Sequence, residues 1–343
     1  VIQLAKTLNV PLRLFDATTL EEETPRVANP SDYVFDTVGC HSVSEASALA
    51  AAGKNSALIV PKSKSQRATC AIAQAPGIIN ASMVGKSRGR LTIIGIGPGT
   101  ADWRAPEATN TVAAASDLVG YSLYLDLLGE MATGKKRHDF PLGKETDRVA
   151  AALDLAAQGR EVALVSSGDA GIYAMASLAF ELVDNENRDD WKRLEINVVP
   201  GISALQAAAA RTGAPLGHDF CTVSLSDLLT PWSVIEKRLK AAAQGDFVIA
   251  LYNPVSKKRR DHLETTRNIL LQHRLATTPV IIARNLGRTD ENVEVLNLES
   301  LKVDMVDMLS LVMIGSSETK AVSIAGETRV YTPRGYSGKG STK

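Results

Sequence analysis

Short apolar runs separated by amphipathic segments fill the chain from Leu91 onward. The runs LTIIGI, EVALVS, DFVIALY, PVIIA and SLVMIG are typical of strands that are buried on both faces, and helical patterns such as DRVAAALDLAAQG separate the first several of them. Buried strands that alternate with helices form mostly parallel sheets covered on both sides. The pattern therefore predicts an α/β fold in this part of the chain.

A less regular pattern covers residues 1–80. A helical segment (VIQLAKTLNV), a short strand (PLRLF), an Ala-rich helix (SVSEASALAAAG) and two strands (SALIVPK and ATCAIA) follow one another, and they predict a small α/β unit. Because this unit opens within a helix that has nothing upstream to pack on, we expect a preceding strand and helix to be missing. Residues 81–90, ASMVGKSRGR, are small, polar and basic, which predicts a linker.

Composition narrows the class of protein. Lys plus Arg and Asp plus Glu both number 38 in 343 residues, and aromatic residues make up only 5%. Nucleic-acid-binding proteins usually have a basic excess, so we expect no nucleic-acid partner. No apolar run approaches the roughly 18 residues of a membrane helix. The three cysteines are far apart and the five histidines lack ligand spacing, so we predict a cytoplasmic protein without a disulfide scaffold or a metal site.

Small and polar residues cluster where several predicted strands end. The segments are GIGPG (95–99), SSGDAGIY (166–173), VPGISA (199–204), SLSDLLTPW (224–232), LYNP (251–254) and ARNLGR (283–288). The carboxyl ends of strands in α/β sheets form ligand-binding clefts, so their convergence predicts one. Taken singly, each segment has a structural alternative. The glycines could form a plain turn, Asp169 and Ser203 could cap helices, and the basic run after Pro254 could be a solvated helix start.

An NAD site is one interpretation of the glycine loop, and the residues fit it poorly. Pro98 removes a backbone donor, and no third glycine follows at the spacing of the dinucleotide fingerprint. The second strand of the unit ends in Val119, Gly120 and Tyr121, without the acidic residue that would bind a ribose. An NAD-dependent enzyme therefore remains only an alternative of a different class.

Six segments in this order resemble the tetrapyrrole methyltransferases, which use S-adenosylmethionine (SAM). The set SGDAGIY, SLSDLLTPW and YNPVSKKR is similar to the precorrin-3B C17-methyltransferases of cobalamin (corrin) biosynthesis. The resemblance implies a class III SAM-dependent methyltransferase fold, with an N-terminal subdomain at 91–215, a C-terminal subdomain at 216–334 and a tail at 335–343. It also implies a homodimer that converts precorrin-3B to precorrin-4 by C17 methylation with ring contraction.

Residues 1–80 carry a second resemblance. VGCHSVSEASALAAAG, IVPKSKSQRATCAIA and ANPSD resemble the C-terminal domain of cobalt-precorrin-5A hydrolase. Two modules of one pathway in one chain support the assignment to corrin synthesis. The close alternative is the anaerobic reaction on cobalt-precorrin-3, and a further alternative of another class is a non-catalytic corrinoid-binding protein.

The methyltransferase resemblance assigns expected roles to individual residues. Residues that match cofactor-binding positions of the family are Pro98, Ser167, Gly168, Asp169, Ile172, Ser203, Ala204, Leu225, Tyr252, Asn253 and Leu286. Ring contraction requires removal of a hydroxyl proton, which makes a general base plausible. The candidates for this chemistry are Lys144, Glu145 and Asp227, although the first two could equally be exposed cap residues. The substrate carries many carboxylates, so we expect Arg284, Arg288, Lys257 and Arg259 to bind it.

Overall fold

The protein is described from a computed structural model that covers residues 1–336. Residues 337–343, most of the predicted tail, lie outside the described residues. The chain divides into two compact units. The first contains residues 1–91, 151–162 and 183–196, and the second contains residues 92–150, 163–182 and those from Asn197 onward. The domain boundaries proposed above stay predictions.

The N-terminal part of the first unit is built from short elements around a small core. They are α1 (Ile2–Leu8), β1 (Arg13–Leu14), α2 (Ala17–Glu21), α3 (Asp32–Val38), α4 (Ser44–Ala52), β2 (Ala57–Lys64), β3 (Thr69–Gln74) and β4 (Lys86–Ser87). Strands β2 and β3 form an antiparallel pair, and β1 pairs with β4 inside the segment predicted as a linker. The apolar cluster here consists of Leu20, Cys40 and Ala46, with Phe15 and Val27 against it.

A buried carboxylate connects three segments of this part. Glu45 on α4 is fully buried, and it accepts hydrogen bonds from the backbone amides of Ala28 and Asn29 at 2.9 Å and of Lys62 at 2.7 Å. The side-chain amide of Asn29 donates a fourth bond at 2.8 Å. Burial by itself would raise the pKa of Glu45, but these hydrogen bonds outweigh it and hold the pKa below its ordinary value.

From Arg90 to Thr212 the chain forms five strands and six helices. They are β5 (Arg90–Gly95), α5 (Pro106–Ala114), β6 (Asp117–Tyr121), α6 (Ser122–Asp126), β7 (Lys136–Phe140), α7 (Glu145–Ala157), β8 (Glu161–Ser166), α8 (Met175–Glu186), α9 (Asp189–Lys192), β9 (Glu195–Val199) and α10 (Ala204–Thr212). The strand order in the sheet is β7-β6-β8-β5-β9, and all five strands end within the second unit. The runs LTIIGI and EVALVS are almost fully buried, as predicted.

The remaining elements form a second five-stranded sheet and a three-stranded sheet. They are β10 (Gly213–Ala214), β11 (Phe220–Ser224), α11 (Trp232–Gln244), β12 (Val248–Tyr252), α12 (Asp261–Leu271), β13 (Pro279–Arg284), β14 (Asn292–Asn297), β15 (Ser310–Ile314), β16 (Lys320–Ile324) and β17 (Glu327–Tyr331). The five-stranded order is β11-β12-β15-β13-β14, and β10-β17-β16 forms the other sheet. Helices α11 and α12 pack on the larger sheet through an aliphatic core.

Strand direction in the larger sheet differs from the expectation of mostly parallel pairing. Strands β11 and β12 are parallel, whereas β12–β15, β13–β15 and β13–β14 are antiparallel. The reason is that a run such as SLVMIG is buried along its whole length, and a continuous apolar run carries no information about direction. Only the pattern of connections, which sequence periodicity does not give, distinguishes the two cases.

Candidate functional site

Glycines allow three strand ends of the second unit to meet backbone to backbone. Gly97 and Gly168 exchange hydrogen bonds of 3.1 and 2.8 Å, and both have positive φ angles. A Cβ on Gly95 would lie 2.5 Å from the carbonyl oxygen of Gly168 and 2.9 Å from the nitrogen of Gly201. A Cβ on Gly201 would overlap the same carbonyl. We call Gly95, Gly97, Gly168 and Gly201 the glycine junction, and only glycine fits there.

Asp169 connects two sides of the glycine junction. Its carboxylate accepts hydrogen bonds from the backbone amides of Gly171 at 2.8 Å and Gly201 at 3.0 Å. The next helix, α8, begins only at Met175, so Asp169 does not cap it. Ile172 follows in the same loop and is partly buried. The carboxylate thus fixes the loop after β8 against the loop after β9.

Ser203 and Tyr252 are held at the N-terminus of α10. Ser203 forms a capping box with Gln206, as its structural alternative predicted, and Ala204 is the first residue of the helix. The hydroxyl of Tyr252 accepts a hydrogen bond from the amide of Leu205 at 3.2 Å, and burial raises the pKa of Tyr252. The ring of Tyr252 lies 5.1 Å from that of Tyr173. These contacts bring the end of β12 to the start of α10.

Arg288 reaches from the loop after β13 to two other predicted site residues. Its guanidinium donates to the carbonyl of Pro98 at 3.2 Å and lies 3.4 Å from the hydroxyl of Ser167. Leu286, two residues earlier, is buried in the apolar core. The structure therefore brings Arg288, Pro98 and Ser167 together, while the Leu286 side chain points into the core rather than toward open space.

The end of β11 carries Leu225, Ser226 and Asp227. Leu225 is fully buried, and its amide donates to the carbonyl of Tyr252 at 2.9 Å. Asp227 is 43% exposed, and its carboxylate lies 3.4 Å from Nε of Arg259. Asn253 donates from its side-chain amide to the Ser224 hydroxyl at 3.1 Å. The ends of β11 and β12 are thus joined through both backbone and side chains.

The predicted substrate-binding cations have different surroundings. Arg259 is mostly buried and donates to the carbonyls of Asn253 at 2.9 Å and Pro254 at 3.4 Å, so it is directed inward. Arg284 is half-exposed and lies 3.8 Å from the Asp307 carboxylate. Lys257 is exposed. Of the predicted set, Arg284 and Lys257 have the solvent access that a carboxylate partner requires, and Arg288 is partly buried among its two contacts.

Lys144 and Glu145 lie at the start of α7. Lys144 is exposed and pairs with Asp147 at 3.2 Å, and Glu145 accepts a hydrogen bond from the Gly143 amide at 3.0 Å. These are the contacts expected of cap residues. Burial raises the pKa of nearby Tyr124, and the charges of Arg288, Arg148 and Glu145 act on the same hydroxyl. Glu145 is therefore within electrostatic range of the Arg288 region, and Lys144 has no described contact there.

Residues 90–302 match the family model described as tetrapyrrole (corrin/porphyrin) methylases. The chain belongs to this family. The resemblance that the strand-end segments indicated is thereby confirmed. Residues 1–73 of this tetrapyrrole methylase match a second model, described as cobalamin synthesis G C-terminus, which agrees with the likeness of the N-terminal segment.

Three curated relatives show how much of the methylase is shared. The chain is 45% identical over 251 residues to "Precorrin-3B C(17)-methyltransferase" of Sinorhizobium sp, covering 73% of this chain and 98% of that one. It is 43% identical over 246 residues to "Probable cobalt-factor III C(17)-methyltransferase" of Salmonella typhimurium, covering 72% and 99%. It is 43% identical over 252 residues to "Cobalamin biosynthesis protein CobIJ" of Mycobacterium tuberculosis, covering 72% of this chain. The methylase spans about half, 48%, of that mycobacterial protein.

A solved structure supports the fold. The methylase is 40% identical to the methyltransferase CobJ, with a TM-score of 0.67, and the match covers 71% of this chain and 100% of that one. The class III methyltransferase fold predicted from the sequence is confirmed. Within residues 1–336, no helix has the length and apolar character to cross a membrane, and no cluster of His, Cys, Asp and Glu could hold a metal ion.

Sequence reasoning missed two residues of the tetrapyrrole methylase that contact predicted site residues. His262 on α12 lies 3.9 Å from the Asp227 carboxylate, and Tyr173 packs against Tyr252. A histidine in a basic, polar segment such as KKRRDHLETT has no local signature. Tyr173 ends the segment SSGDAGIY, but only its positive φ angle of 51°, visible in the structure, marks it as constrained.

Proposed function

We propose that the methylase transfers a methyl group from SAM to C17 of precorrin-3B and contracts the ring to give precorrin-4 in cobalamin biosynthesis. One observation carries the proposal: the glycine junction and Asp169 lie at the strand ends of a chain whose Sinorhizobium relative bears the name of this reaction. The chain spans only about half the length of the mycobacterial relatives. Its activity and its substrate are therefore proposals.

The residues of the junction fit a cofactor with an amino-acid portion. Gly168 leaves its backbone without a side chain, and Ser167 and Asp169 beside it offer a hydroxyl and a carboxylate. Tyr252 and Asn253 lie at a neighbouring strand end, where we propose that the adenosine binds. SAM supplies a methyl group already activated on a sulfonium. The protein therefore has to align the two reactants and exclude water, rather than activate the methyl donor.

Ring contraction also requires a base, and we propose Asp227 for this role. Its carboxylate is partly exposed, so it can contact a substrate, and Arg259 holds it beside the end of β12. Glu145 remains the second candidate, because it shares an electrostatic environment with Arg288 and Tyr124. We propose that Arg288, Arg284 and Lys257 bind the peripheral carboxylates of the tetrapyrrole, with Arg contributing paired hydrogen bonds.

The second candidate function is the same reaction on a cobalt-containing ring. The observation that favours it is the name of the Salmonella relative, which is as similar to the methylase as the mycobacterial proteins are. We further propose a cytoplasmic homodimer, as the family resemblance implies, which sedimentation of the purified protein would test.

Calorimetric titration with S-adenosylhomocysteine (SAH) tests the proposal first, with NAD as the control. We expect micromolar binding of SAH at one site per chain and no binding of NAD. Incubation with SAM and either precorrin-3B or cobalt-precorrin-3 then identifies the substrate by the mass of the methylated product. NAD binding would favour a dehydrogenase. Tetrapyrrole binding without methyl transfer would favour a corrinoid carrier, and either result would reject the proposal.

A further inference from the structure

His262 lies beside Asp227, and the proposed reaction has so far assigned no role to this histidine. Its Nε2 is 3.9 Å from the Asp227 carboxylate, and Arg259 approaches the other carboxylate oxygen at 3.4 Å. The indole of Trp232 stacks on the imidazole, with ring centres 3.9 Å apart and planes at 19°. We call Asp227, Arg259, His262 and Trp232 the Asp227 cluster. His262 is the buried member, at 7% exposure, and its ring is fixed from two sides.

A backbone contact decides which imidazole nitrogen carries hydrogen. Nδ1 of His262 lies 3.0 Å from the carbonyl oxygen of Leu225. A carbonyl only accepts hydrogen bonds, so Nδ1 must be the donor. In the neutral ring Nε2 then has a lone pair, and it faces a carboxylate that also only accepts. A hydrogen bond between Nε2 and Asp227 therefore requires one additional proton. That proton would lie between the two acceptors.

Arg259 fixes the carboxylate relative to the end of β12. Its guanidinium donates to the carbonyls of Asn253 and Pro254, which leaves Nε directed at Asp227. The charged groups around His262 are thus Asp227 on the loop after β11, Arg259 before α12, and Asp261, whose charge also acts on Arg259. This arrangement places the Asp227 carboxylate between Arg259 and His262, beside the strand end where we place the adenosine.

We propose that His262 is a positioning residue that acts through Asp227 and accepts the proton that Asp227 removes. This inference rests on the proposed function. The hydroxyl O–H bond of the substrate breaks, its electron pair stays on the substrate oxygen, and the proton moves to the Asp227 carboxylate. The proton then passes to Nε2, where an N–H bond forms. The products are an imidazolium and a restored carboxylate, and the imidazolium later releases its proton to water.

The variant His262→Asn separates this role from a structural one. The Asn amide nitrogen can replace Nδ1 as the donor to the Leu225 carbonyl, but nothing replaces Nε2. With SAM and precorrin-3B, we expect kcat near pH 7 to fall roughly 100-fold, at the lower end of the range of general acid–base contributions. The Kd for SAH should change less than about twofold, since the cluster lies outside the glycine junction. His273→Asn, at an exposed histidine just after α12, is the matched control and should retain wild-type values.

The pH profile distinguishes the two roles further. In the wild type, kcat should decrease as the pH falls from about 8 to about 5, the interval in which histidines rather than carboxylates usually change charge, because a protonated His262 has no lone pair to accept a proton. His262→Asn should lack this decrease, whereas a purely structural defect would lower kcat equally at every pH. An unchanged kcat, or a decrease that persists in His262→Asn, would overturn the inference.

Asp227, the more exposed partner of His262, provides a second test that does not depend on the folding of His262→Asn. Asp227→Asn should lose the same decrease of kcat with falling pH. The double variant should be no slower than Asp227→Asn alone, because His262 acts only through Asp227. Additive effects would overturn the inference. Failure of the wild-type protein to bind SAH would instead reject the proposed function itself, so the two failures are distinguishable.

Discussion

Two places in the chain each bring three segments together, and they do so by opposite means. At Glu45 a buried carboxylate gathers four N–H donors from the loop at Ala28 and Asn29 and from β2. At the glycine junction the three strand ends meet because no side chain is present. A buried charge is stable only when its hydrogen bonds are complete, so the first place is structurally saturated. The second has no side chain at the contact, and its backbone groups belong to the site that we propose for the cofactor.

The strands around Glu45 and those around the glycine junction differ in how deeply they are buried. Strands β2 and β3 near Glu45 are largely exposed, and the apolar cluster beside α2 and α4 is small. Strands β5 and β8, which lead into the glycine junction, are buried along almost their whole length. A polar connection therefore supplements the small apolar core of the first region. Apolar burial supports the second region, so its strand ends are available for the ligand that we propose.

The largest expected effect is that of Gly201→Ala. The new Cβ would overlap the Gly168 carbonyl oxygen, and hydrogen bonds hold the backbone of both glycines in place. We expect the overpacking to lower the free energy of unfolding by about 3 kcal/mol. We also expect the affinity for SAH to fall at least about 100-fold. Titration with SAH and thermal unfolding would measure the two effects.

Gly77→Ala is the matched control, because nothing lies within 4 Å of the Cβ it would add. It should bind SAH as the wild type does. If Gly201→Ala also bound SAH normally, the strand ends would not be the ligand site, and the contrast with Glu45 would be lost.

The two places also differ in what the sequence could predict. The glycine segments follow apolar strands and are typical of turns, so the fold class and the meeting of these strand ends were predictable. Glu45 lies in an Ala-rich helix, SEASALAAA, where a single acidic residue is typical of a solvated face. Its burial depends on Lys62 and Asn29, which are distant in sequence. Strands β7, β14 and β17 were missed because they are partly exposed, carry charged residues and lack a continuous apolar run.

The candidate site shows the same division. Ser203 and Asp169 were recognised as polar residues at strand ends, but the sequence could not decide between capping and binding. The structure shows a capping box for the first and a bridge between two loops for the second. The inward direction of Arg259 was not predictable either, because it depends on carbonyls that the turn at Asn253 and Pro254 presents.

The second-largest effect is that of Glu45→Gln. The side-chain amide of Gln would place an NH₂ group, itself a donor, among four donors. We therefore expect the free energy of unfolding of the N-terminal part to fall by about 2 kcal/mol. The folded-state pKa of Glu45 is below its unfolded value, so its contribution is complete above pH of about 4.3 and is lost as the pH falls through the folded pKa. Hydrogen exchange of the amides of Ala28, Asn29 and Lys62 at pH 7 and at about pH 3, well below the unfolded value, would measure this.

Glu22→Gln, at an exposed position after α2, serves as the control and should leave exchange unchanged. In Glu45→Gln the exchange protection should be low at both pH values, once intrinsic rates are corrected. Protection that still decreased with acid in this variant would show that another carboxylate causes the pH dependence. The view of Glu45 as the main connection would then be wrong.

The smallest expected effect is that of Arg288→Ala, which tests whether a side chain or the backbone fixes the strand ends. Arg288 adds side-chain hydrogen bonds to Pro98 and Ser167, but backbone packing alone should hold the glycine junction. We therefore expect an unchanged Kd for SAH and a KM for the tetrapyrrole that is raised about tenfold, roughly 1.4 kcal/mol for one carboxylate contact. Arg238→Ala, at an exposed arginine on α11, should alter neither constant. A loss of SAH affinity in Arg288→Ala would mean that a side chain, as at Glu45, fixes the strand ends, and that Arg288 serves the cofactor rather than the substrate.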